Sequence, residues 1–268
     1  MRIWSIVGLL VGFTMLAIAV GLTAQDPMMF VNIPGFALVL GGTFAATLTS
    51  YSLQEIWAAI RALAMHNGSD GNLEHAGLRD IMHIAKVMDA KGARAAEVAI
   101  KRVRSPFLQT GLQLVIDEVP SRQLIEVTDW RIARIRAHGR AQADVFNVMS
   151  IYAPAFGMVG TLLGLVNMLR GIGGDITEIG ISLSLALVTT FYGIVMANAV
   201  FKPFAVTLQR QVEDRMAVLS VAQEALVLLA DHHSPVQLKY SISSYVDPQD
   251  VDLIEQPSGG EPKDAPRA

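Results

Sequence analysis

The chain has 268 residues, of which 52% are hydrophobic and only 17% charged, and its mean hydropathy is +0.41. Soluble domains carry about 25% charged residues. The shortfall here is concentrated in long windows without any charge, which excludes one large soluble core and reads as membrane spans. The net charge of −3 is too small to draw nucleic acid, and a chain without cysteine has no disulfide framework, thiolate metal site or cysteine nucleophile.

A helix needs roughly 20 apolar residues to cross the hydrocarbon core. Four windows meet that length: Ile3 to Thr23, Phe30 to Tyr51, Met149 to Leu169 and Ile179 to Phe201. The first is too long, and has too few basic residues before it, for a cleaved leader. The predicted class is therefore an all-α integral membrane protein with four transmembrane helices. Orientation follows from Lys and Arg near the span ends. The two short linkers, about 24–29 and 171–178, contain acids and no base, whereas residues 52–148 hold 13 Lys/Arg and the chain after Phe201 holds 6. Both termini and the large loop are thus expected in the cytoplasm.

That loop reads as helical. From Gly77 to Val103 apolar residues recur at helical spacing (Leu78, Ile81, Met82, Ile84, Ala85, Met88) with charges between them. Ser105-Pro106 ends or turns this stretch, a second helix covers Leu108 to Val119, and a third starts near Ser121 and runs towards the third span. Beyond the fourth span, Leu208, Val212, Met216, Leu219 and Leu226 continue an apolar stripe, so that span is expected to extend as a cytoplasmic helix. Five segments result: two spans forming an outer wall (1–51), a cytoplasmic helical loop (52–148), two further spans (149–205), C-terminal cytoplasmic helices (206–246) and a tail rich in Pro, Gly and acids that reads as disordered (247–268).

No span has an ionisable residue in its interior, yet an ion path normally needs one at membrane depth. Either the chain moves no ions or a partner helix brings the carboxylate. Spans three and four are nevertheless unusual. Pro154, Gly157, Thr161, Gly164 and Met168 fall on one helical face, as do Ser182, Ala186, Thr190, Gly193 and Ala197, with Thr189 beside them. Small residues let helices approach and hydroxyls can bond across the gap. Ordinary helix packing and a narrow path around a partner helix both fit these faces. No nucleophile–base pair, phosphate loop or metal-ligand spacing is visible, so catalytic residues, a metal and a cofactor are not expected, and the chain does not read as an enzyme.

The run from Ala153 to Val166 (APAFGMVGTLLGLV), together with Ala186 to Gly193 (ALVTTFYG) and Val200 to Ala205 (VFKPFA), resembles the third and fourth spans of the flagellar stator A subunits, the MotA/PomA family within the MotA/TolQ/ExbB group. Phe30-Val31-Asn32 and Val39 to Thr43 extend the likeness, which covers about residues 1–246. The resemblance implies a subunit of the bacterial inner membrane. It implies a ring of five copies around two MotB/PomB-like B subunits, each with a single span that supplies an essential aspartate, and torque delivered to the rotor protein FliG. It also implies roles for particular residues. Thr161 and Thr190 match hydroxyls of the ion path, and Thr189, Pro154, Gly157 and Gly193 on the same small faces are read as lining it with them. Pro154 and Pro203 would couple ion passage to movement. Lys91, Arg94 and Glu97 would meet the rotor, although the stretch from Asp89 to Glu97 departs from the family pattern and a solvated helix face is the alternative. Two threonines at the path point to sodium rather than protons. Asn32 departs from this, because sodium-type relatives can carry Asp there. A proton-type MotA and an ExbB/TolQ-like, proton-driven energiser are the alternative readings.

Overall fold

The computed structural model describes residues 2–23, 27–65, 69–171, 176–234, 236–238, 240 and 242. Among these residues the chain is helical and contains no strand: α1 (Arg2–Thr23), a 3-10 turn (Pro27–Phe30), α2 (Ile33–Ser50), α3 (Leu53–Met65), α4 (Ser69–Lys91), α5 (Ala93–Ile100), α6 (Pro106–Ile116), α7 (Ser121–Arg170), α8 (Ile176–Val195), a π-helical turn (Met196–Phe201) and α9 (Lys202–Ala230). Three helical stretches among them are long and apolar enough to cross a bilayer: Met28–Ser50, Ser121–Arg170 and Ile176–Ala230. The expected N-terminal crossing coincides with α1 (Arg2–Thr23).

The chain folds as two compact units, each discontinuous in sequence: residues 1–65 with 139–210, and residues 66–138 with 211–268. The long helices α7 and α9 contribute to both.

The second unit is built on large aliphatic side chains. Leu78, Ile81 and Ile84 of α4, Leu112 of α6, Leu124 of α7, Leu226 of α9 and Leu238 are all nearly or fully buried in one cluster. The apolar stripe read from Gly77 onward is this buried face, and Val212, Met216, Leu219 and Leu226 are its partners from α9. The expected single helix from Gly77 to Val103 is, however, two helices. Gly92 adopts φ +78°, a left-handed conformation that glycine accepts without steric cost, and it separates α4 from α5. Pro106 opens α6 at its first turn, where no N–H is needed. Polar ties join α7 and α9: Gln223 Nε2 donates to Thr128 Oγ1 at 2.8 Å and to Asp129 Oδ1 at 2.7 Å, and Ser121 bonds Asp231.

In the first unit α3 was not foreseen. A capping box starts it: Glu55 Oε2 accepts from Ser52 N–H at 2.8 Å and from its hydroxyl at 2.9 Å, while Ser52 Oγ accepts from Glu55 N–H at 3.3 Å. The same bonds hold the Glu55 carboxyl below its ordinary range. Ile56 and Ala59 bury one face of α3 against Phe146 and Met149 of α7 and Phe201 and Ala205 beyond α8. Leu53, Trp57 and Ile60 form a second stripe that stays exposed.

Candidate functional site: the α7–α8 contact

The two small-residue faces read from the sequence meet each other. Glycine spacing along α7 lets its backbone lie directly against α8. A Cβ added at Gly157 would sit 3.0 Å from the Thr189 carbonyl oxygen and 3.2 Å from Thr190 Cα. One at Gly164 would be 2.7 Å from the Ser182 carbonyl oxygen, and one at Gly193 only 2.7 Å from that of Ala153 and 3.1 Å from Pro154 Cα. Such distances leave no room for a side chain, so these glycines are required by close approach. Gly160 lies against the Thr189 side chain in the same way.

Three hydroxyls sit in this contact and differ in environment. Thr189 is fully buried; its Oγ1 donates to the Ala186 carbonyl at 2.9 Å, and its methyl faces Gly35 of α2. Thr161 and Thr190 are half-buried and bond each other hydroxyl to hydroxyl. Around that pair converge the carbonyl of Ala186, 3.2 Å from Thr161 Oγ1, and the carbonyl of Gly157, 3.2 Å from Thr161 Oγ1 and 3.3 Å from Thr190 Oγ1. The result is a cluster of uncharged oxygens at the edge of a tight helix pair. Oxygen donors of this kind can coordinate a hard cation or pass a proton, and the described membrane helices place no ionisable side chain beside them. Gly157 and Gly193 lie inside the helix contact and Pro154 lies against Gly193, so of the six residues singled out for the path only Thr161 and Thr190 present half-exposed hydroxyls.

The two prolines occupy different backbone settings. Pro154 is inside α7, where the missing N–H and the ring disturb the helix ladder, and its Cα faces Gly193. Pro203 follows the π-helical turn, which closes with the Lys202 N–H on the Ala197 carbonyl, five residues back. A π-turn is a one-residue excess in the helix and is frequent at functional sites. Beside it Lys202 Nζ donates to Asn147 Oδ1 at 2.9 Å. Lys91 ends α4, and Arg94 and Glu97 lie on α5; all three are exposed. They belong to the second unit and not to the hydroxyl cluster.

The start of α2 makes a contact that the sequence reading did not draw. Asn32 caps that helix, its Oδ1 accepting from Gly35 N–H at 2.8 Å, and its own N–H donates to the Tyr192 hydroxyl at 2.9 Å. Tyr192 in turn donates to the Phe30 carbonyl. The Asn-x-Pro-Gly start was readable as a helix cap; the tyrosine 160 residues away was not. The α1–α2 part is therefore more than an outer wall, since α2 is bonded and packed directly to α8.

The model of the MotA/TolQ/ExbB proton channel family matches residues 99–220. "Motility protein A" of Borreliella burgdorferi is 24% identical over 261 residues, covering 97% of this chain and 100% of that protein. Among solved structures, the Campylobacter jejuni chain described as "Structure of C. jejuni MotAB" superposes with a TM-score of 0.82 at 20% identity, over 92% of this chain and 97% of that one. A chain of the "flagellar MotAB stator complex from Bacillus subtilis" gives 0.78 at 20% identity, over 94% and 99%. The fold is shared with both. The chain is thus similar to the MotA/TolQ/ExbB family over residues 99–220 and to motility A proteins along nearly its whole length.

Proposed function

We propose that this protein is the A subunit of a flagellar stator, coupling cation flow to rotation together with a single-span B subunit. The observation that carries the reading is the half-buried Thr161–Thr190 pair on a tight α7–α8 contact, in a chain whose described membrane helices bring no ionisable group to it. Such a pair can hand a cation to a carboxylate but cannot replace one. A partner helix with an aspartate completes it, and the likeness to motility A proteins and MotAB chains supplies the context.

In this reading the protein is a multi-pass subunit of the bacterial inner membrane, and α1 makes the fourth crossing. Both termini and the second unit face the cytoplasm, five copies surround two B subunits, and no bond-breaking chemistry is involved. The exposed stripe of Leu53, Trp57 and Ile60 lies three residues beyond α2, where the membrane–water interface is expected and where tryptophan is favoured. Pro154 and Pro203 bracket the two helices that would move. Lys91, Arg94 and Glu97 are the exposed charges offered to the rotor protein FliG, and charge reversal at both Lys91 and Glu97 should lower torque without loss of assembly.

Sodium is the ion we assign, on the two hydroxyls Thr161 and Thr190. The test is swimming. Removing the chain from its host should abolish motility, and swimming speed should follow external sodium, with Thr190→Ala weakening that dependence. Normal swimming after deletion, with no second copy of the gene, contradicts the stator role. Speed that ignores sodium and collapses with a protonophore contradicts the ion assignment alone.

A further inference from the structure

The break before α2 poses a problem that one side chain solves. Its contacts lie with Phe191 and Tyr192 on α8: Phe30 packs edge-on against Phe191 at 5.8 Å and Phe36 against Tyr192 at 5.6 Å. The first N–H groups of a helix have no partner within it, and where that start is packed against another helix they must be satisfied by side chains or water. The Tyr192 hydroxyl meets two backbone groups here, donating to the Phe30 carbonyl and accepting from the Asn32 N–H, while the Asn32 side chain takes the Gly35 N–H.

The bridge has a second consequence. It ties the first turn of α2 to α8 two residues after Thr190. There Gly35 is so close to Thr189 that an added Cβ would lie 2.9 Å from its Cγ2. With α2 fixed on one side and the glycines of α7 on the other, α8 has little freedom to turn about its axis. That rotation decides whether Thr190 meets Thr161.

We propose that Tyr192 is a positioning residue whose hydroxyl, by bridging Phe30 and Asn32, holds α8 in the rotation that pairs Thr190 with Thr161. The proposal rests on the stator reading for its functional consequence, but its geometric part does not. The chain contains no cysteine, so Thr161→Cys with Thr190→Cys is a clean reporter of that pairing. In membranes of cells making the full chain with its B subunit, oxidation should cross-link the pair efficiently when residue 192 is Tyr and poorly when Tyr192→Phe is added. With the threonines in place, Tyr192→Phe should reach the membrane at the normal level and shift the ion concentration for half-maximal swimming by about three- to tenfold, the effect of one lost hydrogen bond. Thr190→Ala with Tyr192→Phe should be no worse than Thr190→Ala alone, because both act through one contact. Unchanged cross-linking, an unchanged ion dependence, or additive effects overturn the proposal. If cells swim normally without the chain, the stator reading fails instead, whatever the cross-linking shows.

Discussion

The α7–α8 contact and the core of the second unit are both helix packings, and they use opposite means. In the second unit Leu78, Ile81, Leu112 and Leu226 keep backbones apart and fill the space between them with aliphatic volume. Between α7 and α8, Gly157, Gly164 and Gly193 remove the side chains and the backbones touch. Burying apolar surface stabilises helices that would otherwise meet water. In lipid that driving force is missing, and close approach and hydroxyl bonding take its place. The contrast explains how one chain uses leucine to fold its polar part and glycine and threonine to fold its membrane part.

Adding bulk should break the two regions unequally. Gly193→Val places a side chain against the backbone of Ala153 and Pro154, neither of which can rotate away. It should abolish motility and reduce the assembled subunit in membranes, the largest effect expected. Gly41→Val in α2, where nothing lies within 4 Å, should swim and assemble normally and serves as its control.

Removing bulk should hurt the other region. Leu226 is fully buried, and Leu226→Ala should cost about 2–5 kcal/mol of stability, measured as a lower thermal midpoint of the purified protein. The smallest effect is electrostatic. Burial pushes the Asp80 carboxyl up, against the lowering influence of Arg79, His83 and Arg104. A carboxyl raised on folding favours the folded state only while protonated, and that contribution is lost as pH rises through its folded pKa. Asp80→Asn should therefore raise the thermal midpoint slightly at neutral pH and give no advantage below about pH 4, where the unfolded carboxyl is protonated too.

Much of this was legible in the sequence. Charge-free windows mark the membrane helices, and the 3,4 spacing of Gly157, Thr161 and Gly164 put them on one face because helical geometry is periodic. The same periodicity concealed the break at Gly92, since one left-handed residue leaves the apolar pattern on either side intact. Helix α3 was overlooked although Ser52 and Glu55 carry a capping-box signature and Leu53, Ile56, Trp57 and Ile60 recur at helical spacing. Sequence also left open whether the small faces of α7 and α8 look at each other or at a partner. The structure pairs them, with Thr161 and Thr190 at the half-exposed edge. The bridge from Tyr192 to Asn32 is a long-range hydrogen bond, and no local spacing encodes it.

The central claim is that this chain supplies hydroxyls and close-packed helices while another chain supplies the charge. Cation flux into vesicles tests it most directly, comparing the chain alone, the chain with its single-span B subunit, and the same complex with the B subunit's membrane aspartate changed to asparagine. The account predicts flux only in the second case. Flux through the chain alone, or undiminished flux after the aspartate is changed, would contradict it.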